Sequence, residues 1–374
     1  MKFSPIISAV LVCLVSCSGD PAKSPETQDS PAAVEQTAGA GKNPATAENS
    51  NLPVIYARTV FLNKPDAVLD SIRNFVYSPG PALTLEELYK YVGMKYKGYR
   101  AGKDISPASY IAVCNAPDSA IEKVKKEFRE KFGREAVVSY PPEGATVLSY
   151  GYVFKETRYA VPFLDDSLFF KKKNVDAFSV PGSRSGNRRS DQVKVRYYSV
   201  NKSTLFDQGD FIVQLITEGN KEQVYIACIH PDATLSATYE KAWKTIQEPP
   251  VQEFKTSNSK EEVKFPMALA ESSSLIAPDI RINHHFDSIF NLPLFDGEKL
   301  MYSQRDLVFQ LDEKGAKLED KNVIADSIGF NRFKLPPLVV NRPFLLIMKE
   351  TDKERPYLLM WVNDPEIMIP AKKN

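Results

Sequence analysis

Residues 311–329, LDEKGAKLEDKNVIADSIG, join two kinds of chain. The first half continues the alternation of DLVFQLDEKG (306–315), a strand that runs into a turn at Gly315. The second half is charged and poor in order-forming signals, and it comes just before the apolar run LPPLVVNRPFLLIM (335–348). RPFLLIMKE (342–350) and YLLMWVND (357–364) read as two closing strands. A long polar excursion thus stands between strands near the end of the chain, and its reading decides the fold.

Working back from it, several strands precede this ending: VKVRYYSV (193–200), DFIVQLIT (210–217), VYIACIHP (224–231) and EVKFPMALAES (262–272). A helix, SATYEKAWKTIQ (236–247), interrupts them. The earlier half is expected to be richer in helix. NKPDAVLDSIRNF (63–75) has Pro65 near a first turn and Val68, Leu69, Ile72 and Phe75 at helical spacing. LTLEELYKYVGMKY (83–96) repeats that pattern, and DSAIEKVKKEFREKFG (118–133) is an amphipathic helix closed by Gly133. YIAVCNA (110–116), EAVVSY (135–140) and TVLSYGYVF (146–154) are expected strands. The sum is an α+β chain with large, mostly antiparallel sheets.

The N-terminal region is different in kind. Residues 1–16, MKFSPIISAVLVCLVS, read as a secretory signal too short to span a membrane. The Leu-Val-Ser-Cys ending at Cys17 resembles a bacterial lipobox, so Cys17 is the expected lipid attachment point and membrane anchor, with ordinary cleavage nearby as the alternative. Residues 17–52 are rich in Pro, Ala, Ser, Thr and Glu and form a tether, because they cannot bury enough apolar surface to offset their ordering entropy. The globular domain is expected over 53–374, in the cell envelope, on the periplasmic face or the cell surface.

Chemistry-bearing motifs are sparse. Net charge is +1, which gives no reason to expect a nucleic-acid partner. Three histidines are present, and the adjacent pair His284 and His285 reads as a surface pair in a loop, without carboxylate or thiol at metal-ligand spacing. PGSRSG (181–186) places Arg184 where a nucleophile elbow needs Ser. No phosphate loop or dinucleotide fingerprint appears, so neither cofactor, metal nor enzymatic activity is expected. Lys171, Lys172, Lys173, Arg184, Arg188 and Arg189 flank a Gly/Ser loop and read as a solvated loop, or as a weak polyanion contact. Cys114 and Cys228 sit in apolar runs and are expected as buried thiols rather than a disulfide.

FQLDEKGAK, LPPLVVNRPFLLIMKE and YLLMWVNDPEI together resemble the C-terminal third of the serpins. In that family a main-sheet strand ends in an acidic pair and Gly, an exposed reactive loop follows, and an Asn-Arg-Pro-Phe strand and a final strand close the chain. The resemblance continues upstream in order. RNFVYSPGPAL (73–83) looks like the family's buried helix start, YIAVCNA with the helix and EAVVSY like its strand-helix-strand unit, TVLSYGYVF like its central main-sheet strand, and VYIACIHP like a barrel strand. It implies a serpin-like α+β fold: a large main sheet, smaller barrel-like sheets, helices on one side, and a C-terminal reactive-type loop. The stretch between EAVVSY and TVLSYGYVF is too short for the helix that crosses the main sheet there, so the helical set is reduced.

The resemblance also implies a non-enzymatic role, inhibition of a serine or cysteine protease by a loop that is cleaved and then inserts into the main sheet. Such insertion needs a hinge of small residues after Gly315, where this chain has Ala316, Lys317, Leu318, Glu319, Asp320, Lys321 and Asn322. In the register that buries Ala316, Asp320 is buried as well, and an unpaired buried carboxylate costs several kcal/mol. The other register buries Lys317, Glu319 and Lys321. Counting forward from Gly315 puts the bait at Gly329 and Phe330, and counting back from the closing strands puts it at Arg332 or Phe333. Arg332 is preferred, and it implies a trypsin-like partner. Arg305 stands where the family has a His, Pro81 replaces the second Ser of the helix start, and Arg158 and Tyr159 stand near an expected Trp. The charged hinge favours a non-inhibitory or substrate-like protein. A trapping inhibitor and a surface binding protein are the alternatives.

Overall fold

The computed structural model describes residues 56–181, 188–199, 209–249, 251–255, 260–269, 274–292, 299–315 and 336–371. The signal, the tether, Cys17, Arg184, hinge residues Ala316, Lys317, Leu318, Glu319 and Asp320, and bait residues Gly329, Phe330, Arg332 and Phe333 lie outside the described residues.

In chain order the strands are β1 (Thr59–Leu62), β2 (Asn74–Tyr77), β3 (Tyr110–Asn115), β4 (Ala145–Val153), β5 (Leu164–Phe170), β6 (Lys173–Val180), β7 (Val193–Tyr198), β8 (Phe211–Ile216) and β9 (Glu222–Cys228). They continue with β10 (Gln252–Lys255), β11 (Lys260–Val263), β12 (Met267–Ala268), β13 (Leu275–Pro278), β14 (Ile280–Leu292), β15 (Lys299–Leu311), β16 (Leu338–Val339), β17 (Phe344–Glu350) and β18 (Leu358–Val362). The α-helices are α1 (Gly80–Tyr91), α2 (Pro117–Phe132), the single turn α3 (Arg188–Asp191) and α4 (Leu235–Gln247). The fold is α+β with a reduced helical set.

Eight strands form one sheet in the order β1-β2-β18-β17-β9-β8-β7-β12, a four-stranded sheet runs β14-β15-β4-β3, and another runs β16-β13-β6-β5. Pairing is antiparallel except for β1 with β2, β15 with β4 and β13 with β16. The central strands of the eight-stranded sheet are buried on both faces, which is why β17 opens with the apolar run Phe344–Met348. Phe344, Leu346 and Met348 enter one core, while Leu345 and Ile347 enter a second core beneath α4. Thr234 caps α4 by accepting from Ala237 N–H at 3.1 Å. Thr234→Ala is expected to lower stability by about 1 kcal/mol in urea unfolding, since the freed amide lies in the first turn.

Two helices flank the four-stranded sheet. Ala120, Ile121, Val124 and Phe128 of α2 pack on Ile111, Val113, Leu148 and Tyr150. Leu88 of α1 packs on Val147 and Met301, which alternate onto the opposite face. Here α1 passes so close beneath β4 that a Cβ on Gly151 would overlap Thr84 Oγ1. Asn74, buried in the Asn-to-Ser-Pro stretch, accepts from the amides of Asn363 and Asp364, each at 2.7 Å, and so ties β2 to the chain's closing segment. The same end holds the start of the domain. Glu366 accepts from Ala57 N–H at 2.6 Å, Arg58 N–H at 3.0 Å and Thr59 Oγ1 at 2.7 Å, and Arg58 pairs with Asp364 at 2.8 Å.

Three local expectations are corrected. Residues 63–73 are not helical. The Asp70 carboxylate accepts from the amides of Ile72 and Arg73, bending the chain, and Phe75 enters the core from β2 while Val68 and Ile72 are exposed. EAVVSY forms no strand, and Val137 and Tyr140 lie open to solvent before Pro141 and Pro142. His284 and His285 belong to β14 and not to a loop. The His284 ring stacks on Phe61 at 3.9 Å. No helix occurs between α2 and β4, as the shortness of that stretch implied.

Candidate functional site

β15 ends at Leu311, and the chain turns over Asp312–Gly315. The Asp312 carboxylate accepts from Lys314 N–H at 2.9 Å, and Gly315 N–H donates to the Asp312 carbonyl at 3.2 Å. Gly315 has φ of +95°, and a Cβ there would lie 2.8 Å from Arg158 Cα and 2.9 Å from the Thr157 carbonyl. Only glycine fits both the conformation and the space. Segment 157–163 roofs the turn: Phe163 N–H donates to the Glu313 carbonyl at 2.7 Å, and Tyr159 N–H to Lys314 at 3.3 Å. Tyr159, near the position where a Trp was expected, is buried against Phe163 with ring centroids 4.2 Å apart.

Below the turn, β15 and β4 run parallel and pair from Leu300 with Ala145 to Arg305 with Gly151. The pairing ends there while β15 continues to Leu311. Arg305 stands at this end point. Burial draws its guanidinium down to about 10, and Nη2 has no hydrogen-bond acceptor. Where β4 leaves the sheet, Lys155 is inserted between Glu222 at 2.7 Å and Glu350 at 2.5 Å, locking the four-stranded sheet to β9 and β17. Asp104, fully buried, gathers Tyr77 Oη at 2.8 Å, Tyr99 Oη at 2.9 Å and Arg355 at 2.6 Å. Sequence reading missed both clusters, because most of their members lie tens to hundreds of positions apart and carry no spacing motif.

The basic residues do not form one patch. Lys171 and Lys172 make the tip of the β5–β6 hairpin, where Lys171 donates to Asn363 Oδ1 at 2.6 Å and Lys172 and Lys173 are exposed. Arg189, next to Arg188 in α3, donates to the Pro162 carbonyl at 2.7 Å, before β5 begins. The length of β5, about 20 Å at the rise of a strand, separates the two groups. Cys114 and Cys228 are free thiols in different sheets, and burial pushes each up to about 12. Among the described residues no group of three His, Cys, Asp or Glu is arranged to hold a metal ion, and no helix is long and apolar enough to cross a membrane.

The segments that carry the serpin resemblance fall in two sheets, the implied main-sheet pair in a four-stranded one and the implied barrel and closing strands in the eight-stranded one. β4 and β15 are neighbours in one sheet, and β9, β17 and β18 are neighbours in another. The fold is serpin-like. No family model matches the chain, and no curated protein matches it. Among solved structures the chain is similar to Serpin48 of the insect Tenebrio molitor, at 13% identity over 78% of this chain and 92% of that one, with a TM-score of 0.37. It is similar to native protease nexin-1 with heparin at 12% identity, 78% and 92% coverage and a TM-score of 0.41. It is likewise similar to a thyroxine-binding globulin complex with thyroxine, at 12% identity, 81% and 78% coverage and a TM-score of 0.39.

Proposed function

We propose that this chain is an extracytoplasmic, lipid-anchored protein of the serpin type, held to a bacterial membrane through Cys17, that offers residues 316–335 to a trypsin-like serine protease as a substrate and does not trap it. The observation that carries this reading is the bridge between Asp312 and Gly315, because it sets the register of any strand folding back along β15. A strand antiparallel to both β15 and β4 has its place between them. Continued from that bridge, Ala316 would lie opposite Leu311, Leu318 opposite Phe309, Asp320 opposite Leu307 and Asn322 opposite Arg305. Leu311 is buried in the core, and Leu307 and Phe309 pack against it. Directly opposed residues share a face, so Asp320 would enter the apolar side. Lys317, Glu319 and Lys321 would share the face of Val308, which is 74% exposed, and would stay in water. Asp320 alone is then the obstacle, at a cost of several kcal/mol.

Trypsin treatment tests this reading. Cleavage near Arg332 should leave no complex that survives denaturing electrophoresis, and the nicked protein should melt where the intact one does. Nicked Asp320→Ala should melt higher than nicked wild type, because the barrier to insertion is gone.

Arg305 favours a second reading, that of a trapping inhibitor. It would lie diagonal to an inserted Asp320, about 7–8 Å away and within reach of a long side chain, and its Nη2 lacks an acceptor. On that reading nicked wild type melts higher than the intact protein, and Arg305→Gln abolishes the rise.

A further inference from the structure

Asp279 is the single residue between β13 and β14, and the ladders on its two sides give it two acidic neighbours. Ile280 pairs with Leu311, so one residue earlier Asp279 stands opposite Asp312. Pro278 pairs with Ala177, so one residue later Asp279 stands opposite Asp176, whose carbonyl accepts the Asp279 amide at 3.0 Å. Three aspartates thus form a row where the β6–β13 and β14–β15 ladders meet. Like charges directly opposed across a sheet repel. Asp279 and Asp312 are each 8% exposed, and Asp279 Oδ1 is buried without a hydrogen-bond partner.

The surroundings supply little positive charge. Glu313 and Asp165 add two more carboxylates near Asp279. Tyr159 brings a buried neutral hydroxyl near Asp279 and Asp312, and Gln310 donates to Asp312 at 2.5 Å. Of the cations at the turn, Lys314 is exposed and paired with Glu313 at 3.0 Å, and Arg158, bridged to Gly315, pairs with Glu156 at 3.6 Å. Such a row needs either a cation or a proton to be stable when buried. Asp279 Oδ1, buried and without a donor, is where a proton would sit.

We propose that Asp279, flanked by Asp176 and Asp312, binds a proton that latches the Asp312–Gly315 turn under segment 157–163, locking it in mildly acidic medium and loosening it as Asp279 ionises. The latch concerns the turn itself and stands whether or not the residues beyond it meet a protease.

Burial and the neighbouring carboxylates raise the Asp279 carboxyl to about 7, against 3.8 for a free side chain. Between those values the closed turn holds a proton that the opened turn releases, so closure weakens as pH rises through that window. Hydrogen exchange on the full chain, corrected for the intrinsic effect of pH, reads this at the amides of Tyr159, Phe163 and Gly315. Their protection should fall by up to about tenfold per pH unit between about 4 and 7 and then level off. Asp279→Asn should flatten the slope, while Asp166→Asn, an exposed carboxylate of β5, should keep it. Carboxyl NMR of the wild-type protein gives a second measurement that needs no variant, and Asp279 should titrate near neutrality. The latch is overturned by a flat wild-type profile, by a slope that survives in Asp279→Asn, or by an Asp279 titration near 4. Calcium or magnesium restoring protection at pH 8.5 would also overturn it, by making the row a cation site.

Discussion

Lys155→Met is expected to destabilise the domain by about 3–5 kcal/mol, the cost of breaking a buried ion network by removing one partner. Nζ lies 2.7 Å from Glu222 and 2.5 Å from Glu350, and the three side chains are 17%, 9% and 6% exposed. Methionine fills similar space but leaves two carboxylates facing each other in the dry layer between sheets. Glu350 retains the Ser106 amide at 2.9 Å, while Glu222, already pushed up by burial, loses its cation. In the variant Glu222, without the cation that offsets its burial, ionises only at raised pH in the folded state. The folded chain therefore holds an extra proton, and the deficit must be larger at pH 8 than at pH 5. Urea unfolding at both values checks the sign. Adding Glu222→Gln and Glu350→Gln should recover much of the loss. A deficit below about 1 kcal/mol, the size of a surface pair, would mean that Lys155 does not hold the sheets together.

Gly315→Ala should be the most damaging single methyl group that can be added near the loop. The site combines φ of +95° with a Cβ position inside the contact distance of Arg158 Cα, the Thr157 carbonyl and Tyr159 N. All three are backbone atoms and cannot rotate away. Left-handed strain of about 1–2 kcal/mol adds to the displacement of segment 157–163, for a total of about 2–4 kcal/mol. The damage should be local as well as global. Urea unfolding measures the total, and hydrogen exchange at Phe163 and Tyr159 should show that the roof opens first. An unchanged unfolding midpoint would mean that the turn and its roof are not packed together.

How far the residues announced this structure depends on where their partners lie. The α2 stripe of Ala120, Ile121, Val124 and Phe128 is a local pattern and was legible, as were the apolar runs of β17 and β18. At 63–75 the same local logic failed. Phe75 belongs to a strand paired with β18, whose residues come some 280 positions later, and the Asp70 side chain bends the backbone away from helix. The β5–β6 hairpin carried no turn signal, because Lys171 and Lys172 occupy positive φ of 43° and 74° where glycine or asparagine is usual. The turn at Gly315 was legible from its glycine. Its roof was not, since nothing in KETRYAVPF says what it covers. The aspartate row is a matter of register between two strand ladders and has no linear signature.

The binding of residues 57–59 by Glu366 and Asp364 has a mechanical consequence. Tension arriving from the N-terminal side meets short charge-assisted bonds to the segment just after β18, one of the most buried strands of the molecule. A pull there must rupture that carboxylate grip before β1 can peel from β2. Glu366→Gln should therefore lower the force at which the first strand yields.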